Sequence, residues 1–305
     1  MKIGFNLGGD VTGKPVTPRM AVEQAAAADL QGYATAWTVN LTRAGEGLSV
    51  LAAAAMVTER IRLGVGVVPT HPRHPSALAQ QAMTVQALSG GRVTLGVGVS
   101  HRPVMTGMLG LDYGTPLHHL REYLSVLVPL VRTGAVSFEG ESYRVDLSID
   151  IKGTSPVPVL VGVLSPASAR VAGELADGII TWLAGPRTIG GLLAPAVREG
   201  GRGAQVVAGV PVVVTDRVAE VTAAANRVFA RYATMENYQR LYDREGVSGP
   251  ADLAIIGPEH VVEDRLAELA AAGVDELWPV VFEVGDDHGE AERTAALLTR
   301  SAGAA

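Results

Sequence analysis

The sequence predicts a single α/β domain over residues 1–305, a closed (β/α)8 TIM barrel with an insertion after the fourth βα unit. Three observations carry this. Eight short β-branched runs recur along the chain, most of them separated by helical patterns, which is the rhythm of a parallel sheet built from βα units. The runs are apolar along their length, as strands covered on both faces are. The first four start at residues 2, 34, 61 and 92, separations of 32, 27 and 31 residues, each long enough for one strand and one helix. An open doubly wound sheet shares that periodicity. Its dinucleotide-binding form needs a third glycine, and after Gly64-Val-Gly66 and Gly96-Val-Gly98 the third position is Pro69 and His101, so the fingerprint fails twice.

Residues 2–7 open the chain as a strand, and 19–31 follow as a helix. Strand 34–39 leads to an Ala/Leu-rich helix over 48–59. Strand 61–68 leads to helix 75–89, which starts with Pro75 in its first turn and stops at Gly90-Gly91. Strand 92–99 echoes strand 61–68, since LGVGVV at 63–68 and LGVGVS at 95–100 share one plan. Helix 116–132 comes next. Residues 136–145 then form two extended arms about Gly140, a hairpin that breaks the rhythm and marks an insertion over 134–156. The rhythm resumes with strand 157–163, helix 166–176, strand 178–183, helix 186–199 and strand 205–214. Helices 219–238 and 258–272 and strand 276–282 complete it.

Composition narrows the function. With 25 Lys and Arg against 31 Asp and Glu, the net charge is −6, and no basic run is present to attract a phosphodiester backbone, which argues against nucleic-acid binding. The absence of cysteine excludes disulfides, zinc–thiolate sites and a thiol nucleophile. The N-terminus enters a strand with no export signal, and the longest apolar stretches, 48–57 and 206–214, are about half of what crosses a bilayer. The chain therefore reads as cytoplasmic.

In a barrel, ligands sit at the C-terminal ends of the strands. That rule selects Asn6 to Asp10, Trp37 to Asn40, Gly66 to His74, Gly98 to Arg102 and Gly162 to Ser165. Paired Gly-x-Gly strands mark close approach of a ligand or of packing at the rim. At residues 162–168 a strand end runs into a helix, with Ser165 as N-cap and Pro166 at the first helical position. Amides at such a terminus form an anion site, although the same pattern also describes a plain capped helix. His71 and His74, in a segment interrupted by prolines, suit hydrogen bonding or substrate contact better than metal binding. His118-His119 reads as a solvated pair at a helix start. No HExxH, GxSxG or Walker pattern occurs.

The motifs 61–69 (IRLGVGVVP), Arg73-His-Pro75, 88–98 (LSGGRVTLGVG) and 158–162 (PVLVG), the last running on to 172–178 (AGELADG), together resemble the bacterial luciferase-like flavin and deazaflavin oxidoreductases. The likeness is strongest to the coenzyme F420-dependent branch of actinobacteria, and it spans essentially the whole chain. It implies a barrel with an insertion, a homodimer, and a non-prolyl cis peptide at Gly66–Val67 that forms a bulge behind the deazaflavin ring. It also implies a cofactor site of Asn6, Asn40, Gly66, Val67 and Gly98, with the cofactor phosphate on Gly162, Val163, Leu164 and Ser165. His101 then falls at an acid/base position with His74 as a second candidate, and Trp37 and His71 line the substrate. Relatives that oxidise alcohols carry a histidine where this chain has Leu41 after Asn40. The resemblance therefore implies an F420-dependent reductase of an activated C=C or C=N bond. An FMN-dependent monooxygenase and a non-catalytic binding barrel are the alternatives. Substrate choice is expected from the loops 8–16, 40–47, 102–113 and 235–246.

Overall fold

The computed structural model describes residues 1–8, 16–200, 203–282 and 289–303, and in it the parallel strands close on themselves. The first apolar run is split at Gly4 into β1 (Lys2–Ile3) and β2 (Phe5–Leu7). β1 pairs with the last strand, β12 (Glu276–Val281), and β2 with β3 (Thr35–Thr38), so one extended segment joins the two ends of the sheet. The ladder runs on across the break, where the Gly4 amide donates to the Leu277 carbonyl (2.8 Å) and the Ala34 amide to that of Ile3 (2.9 Å). From β3 the order continues through β4 (Arg62–Pro69), β5 (Val93–Gly98), β8 (Val159–Gly162), β9 (Gly178–Trp182) and β10 (Gln205–Val214) to β12. Taking β1 and β2 as halves of one strand, the barrel has eight strands. Residues 9–15, which hold most of the first predicted substrate loop and Asp10, lie outside the described residues.

The antiparallel hairpin of β6 (Ala135–Glu139) and β7 (Arg144–Ser148) stands apart from the barrel sheet. Its turn is fixed by Glu122, whose carboxylate accepts from the amides of Glu141 and Ser142 at 2.7 Å each. A short strand, β11 (Ile255–Gly257), adds to the outer end of β10. Three residues make no recognisable run, and the sequence pattern missed it.

The outer layer comprises α1 (Pro18–Gln31), α2 (Gly47–Ala55), α3 (Pro75–Leu88), α4 (Pro116–Thr133), α5 (Pro166–Leu175), α6 (Pro186–Thr188) and α7 (Ala194–Arg198). Side-chain caps from Thr17, Glu46, His74 and Ser165 open α1, α2, α3 and α5, each satisfying amides that would otherwise lack partners. The pattern expected as one helix over 219–238 is three: α8 (Val218–Val228), α9 (Ala230–Ala233) and α10 (Glu236–Glu245). The chain leaves helical geometry at Phe229 (ψ 11°) and Met235 (ψ 122°). Phe229 is fully buried between Phe282 and Trp182, with ring centroids 5.6 and 6.0 Å away. Anchoring that ring turns the following helices across the barrel mouth. The remaining helices are α11 (Glu259–Ala271) and α12 (Gly289–Gly303). No helix among the described residues is long and apolar enough to cross a membrane.

Glycine and tryptophan fill the barrel interior reciprocally. A Cβ on Gly64 would stand 2.4 Å from Trp37, one on Gly4 2.7 Å from Trp37, one on Gly66 2.5 Å from Trp278, and one on Gly209 2.9 Å from Trp182. Glycine in a strand costs about 0.5–1 kcal/mol. Burying a tryptophan of about 200 Å² returns about 5 kcal/mol, so the exchange favours the fold. Trp37 and Trp278 stack at 5.5 Å. Their indole N–H groups donate to Glu276 Oε1 (2.7 Å) and Asn6 Oδ1 (3.0 Å), which leaves neither donor unpaired in the core.

Candidate active site

At the end of β4 the peptide Gly66–Val67 is cis, and the pairing with β5 shifts register between Val65 and Val68. The bulge turns the Val67 side chain over three glycines. Cβ atoms at Gly96, Gly98 and Gly162 would approach its methyl groups to 3.2, 2.9 and 3.1 Å. Val67 and Gly66 stay half-buried. The result is a low aliphatic platform on the barrel axis, beside Trp278 and within the ring of strand ends. Larger residues at those three positions would fill this cradle, so the arrangement fits a planar ring laid on Val67.

Around the platform, Asn6 donates through Nδ2 to the Gly8 carbonyl (2.9 Å) and accepts from Trp278. Asn40 accepts from the Gly47 amide (2.9 Å) and so fixes the start of α2. At the end of β8, Ser165 caps α5, its Oγ 3.3 Å from the Ser168 amide and 2.9 Å from the Ser168 hydroxyl. Ser165 is exposed, and the residues before it are bare of side-chain bulk at Gly162. Val163 corrects one expectation. Its amide already donates to the Ile180 carbonyl (3.0 Å), which leaves Gly162, Leu164 and Ser165 from the predicted phosphate turn.

Trp37, expected as a wall at the mouth, is 1% exposed and lies beneath Trp278 in the barrel interior. It supports the floor and does not face a substrate. His74 is exposed and uses Nδ1 to accept from the Ser76 amide (3.3 Å), the N-cap of α3, with its ring edge toward Tyr143 of the hairpin (5.5 Å). His71 is also a structural group. Its ring stacks between Tyr113 (5.0 Å) and His119 (3.9 Å), and its Nε2 lies 3.3 Å from the Tyr113 carbonyl. The predicted solvated pair divides: His118 meets Glu122 and Glu141 outside, whereas His119 is tucked against His71 with Nε2 2.9 Å from the Thr70 hydroxyl. Burial, and next the neighbouring His71, lower the His119 pKa to about 4.

His101 stands apart from these. It follows Ser100, whose φ of 61° is left-handed, a conformation that non-glycine residues adopt when the surroundings impose it. Here Tyr113 imposes it, its hydroxyl donating to the Ser100 carbonyl (2.9 Å). The His101 carbonyl accepts the amides of Val104 (2.9 Å) and Met105 (3.0 Å) and opens a wide helical turn over Pro103–Met108. Its imidazole lies 5.9 Å from the Tyr238 ring of α10 and makes no hydrogen bond to another described residue. Burial, and secondarily the charge of Arg231, hold its pKa below the ordinary histidine value. A half-buried imidazole with both nitrogens unspent can give or take a proton at a strand end.

Two groups at the mouth escaped the sequence reading, Trp182 and Arg231, whereas Tyr113 and Tyr238 fall within the loops 102–113 and 235–246 from which substrate choice is expected, without being singled out there. Trp182 closes β9, so the strand-end rule could have found it. Arg231 lies in the stretch that reads as one continuous helix over 219–238, where nothing in the pattern marks it. Among the described residues no cluster of three or more His, Asp or Glu could hold a metal ion.

Comparison with known proteins agrees with the barrel fold. The chain is 30% identical over 317 aligned residues to a protein of Mycobacterium tuberculosis described as a coenzyme F420-dependent oxidoreductase, covering 94% of this chain and 89% of that one. It is 34% identical to the F420-dependent glucose-6-phosphate dehydrogenase of Nakamurella multipartita, over 54% of this chain and only half of that protein's length. Among solved structures, the coenzyme F420-dependent tetrahydromethanopterin reductase of Methanopyrus kandleri superposes with a TM-score of 0.79, over 98% of this chain and 97% of that one at 22% identity. An F420-dependent secondary alcohol dehydrogenase in complex with an F420–acetone adduct gives 0.76 at 17% identity, over 98% and 96%. The family model described as luciferase-like monooxygenase matches residues 1–296, and on that match, over the barrel described above, the chain belongs to the luciferase-like monooxygenase family.

Proposed function

We propose that this chain is a coenzyme F420-dependent oxidoreductase that reduces an activated C=C or C=N bond of a small molecule. The observation that carries the reading is the chain-long similarity to a relative described as F420-dependent. The Val67 platform supports it, because a flat ring fits there with Gly98 and Gly162 leaving the space beside it. When bound, the deazaflavin supplies the hydride chemistry. Gly66 and Val67 would back its ring, with Asn6 and Asn40 at the edge of the bowl. Gly162, Leu164, Ser165 and the start of α5 would take its phosphate.

His101 would hold a proton near the atom that becomes negative as the double bond is reduced. His71 and His74 keep the structural contacts described above. Leu41 beside Asn40 supplies no base, which favours reduction over alcohol oxidation. Fluorescence titration with F420 and with FMN tests the reading. Quenching by F420 and oxidation of its reduced form by an enone are the expected results. Binding of FMN alone would favour a monooxygenase, and binding of neither a non-catalytic barrel.

A homodimer through the outer faces of α1 to α3 belongs to the same reading. Met20, Met56 and Leu88 are 43%, 69% and 48% exposed in or just after those helices, apolar side chains that association would cover. Light scattering at micromolar concentration tests it, and a monomer would refute it. The net charge of −6 favours a small-molecule partner over nucleic acid, and a cytoplasmic setting suits a cysteine-free reductase.

A further inference from the structure

The cap over the mouth carries cations that the reading above does not use. The guanidinium–ring contacts found among the described residues both lie there, Arg102 over Tyr113 at 4.8 Å and Arg231 over Tyr232 at 4.7 Å. Arg102 follows His101 in the chain. Arg231 reaches it through the cap, where the Tyr232 and Tyr238 rings are 4.9 Å apart and Tyr238 lies 5.9 Å from His101. No carboxylate of a described residue pairs with either guanidinium, and the Tyr232 hydroxyl is the side-chain partner of Arg231 (2.8 Å). Trp182 adds a third donor. Its ring is 6.1 Å from Tyr232, and its Nε1 is buried without an acceptor. An orphaned buried donor is costly unless a ligand supplies the acceptor.

Stacking on a tyrosine fixes the plane of a guanidinium and leaves its edge free for two parallel hydrogen bonds. Two such edges, an indole N–H and an imidazole make a set of donors beside flat aromatic faces. In an acidic chain, uncompensated cations at a concave mouth draw anions toward it.

We infer that the mouth is built for a substrate carrying a carboxylate, which Arg231 and Arg102 hold while its planar apolar body lies against Trp182. The inference rests on the reductase reading for what happens to that substrate and not for its binding. A carboxylate there would also offset the field of Arg231 at His101, returning the imidazole toward its protonated form when a proton is needed.

The test uses 2-oxo-4-phenylbut-3-enoate and its methyl ester, titrated by calorimetry into the protein loaded with oxidised F420. The acid is expected to bind about tenfold or more tighter than the ester. Arg231→Gln and Arg102→Gln should each remove most of that preference by weakening the acid alone, and Arg231→Lys should restore part of it. Equal binding of acid and ester, or Gln variants that bind the acid like the parent, would overturn the inference. F420 carries carboxylates and a phosphate of its own, whereas its ribityl-deazaflavin precursor has neither. The ratio of their affinities should be unchanged in both Gln variants. A fall in that ratio would assign the cations to the cofactor and equally overturn the inference. If F420 does not bind, the oxidoreductase reading falls, and the same acid and ester titration on the unloaded protein still decides the anchor.

Discussion

Replacing Gly98 with alanine should weaken cofactor binding through Val67. A Cβ at residue 98 would stand 2.9 Å from Val67 Cγ2, whereas carbon atoms rest about 3.5–4.0 Å apart, so Val67 must move by about 1 Å. Its other methyl lies over Gly96 and Gly162, where an added Cβ would stand 3.2 and 3.1 Å away, so the shift is taken up within the platform itself. The surface on which a ring would rest is therefore distorted. Overpacking of this kind costs about 1–3 kcal/mol. Felt in the cofactor complex, that is about fivefold to about a hundredfold in Kd. The assay is F420 fluorescence titration of Gly98→Ala, Val67→Ala and the double variant. In the Val67→Ala background the Gly98 change should cost less than about threefold, since the colliding methyl is gone. Affinity at the parental level in Gly98→Ala, or an equal loss with and without the Val67 methyls, would refute the reasoning.

His101→Gln should lower kcat by at least about tenfold with F420 affinity and Tm nearly unchanged; parental turnover on a substrate the parent reduces would remove the residue from the chemistry. Because burial and Arg231 hold the His101 pKa below 6.5, a proton donor at this position makes kcat/KM fall as pH rises through that lowered value, a limb that Gln should abolish. His119 is neutral in the fold, its pKa moved from 6.5 to about 4, so the unfolded chain takes up the proton first. Stability from this group is complete above about pH 6.5 and is lost as pH falls toward 4, by about 1–2 kcal/mol after discounting for its partial exposure. Urea unfolding at pH 7 and pH 4.5 measures the loss, which should shrink in His119→Gln. Ser165→Asp places a negative charge at the start of α5 and should weaken F420 by at least about tenfold while sparing a cofactor form without phosphate; equal affinity would move the phosphate elsewhere.

The barrel was legible because its signal is repetitive. Eight apolar runs at near-constant spacing survive errors at any single boundary, and Gly64, Gly66, Gly96 and Gly98 sit in a pattern that only close packing demands. Depth and reach were not legible. Trp37 belongs to an inward-facing strand position, but nothing in the sequence says how far below the rim it lies. Residues 219–238 carry no glycine or proline to announce that Phe229 would anchor in the core and fold α9 and α10 over the mouth. His71 and His119 meet across 48 positions of chain, a contact that only the closed structure defines. His101 could be named because a strand end fixes its place, whereas Tyr113 and Arg231 could not.

All three tryptophans of the chain line the barrel interior, two stacked below Gly66 and the third at the rim. The protein therefore emits from indoles gathered inside the barrel, two of them stacked and one packed beside Phe229 and Tyr232. Their excitation would pass by resonance transfer to any nearby chromophore that absorbs near the indole emission band. Occupancy of the mouth can then be followed optically in the unmodified protein. The separate contribution of Trp182 would report on what is bound beneath the cap, since its ring packs against Tyr232 there.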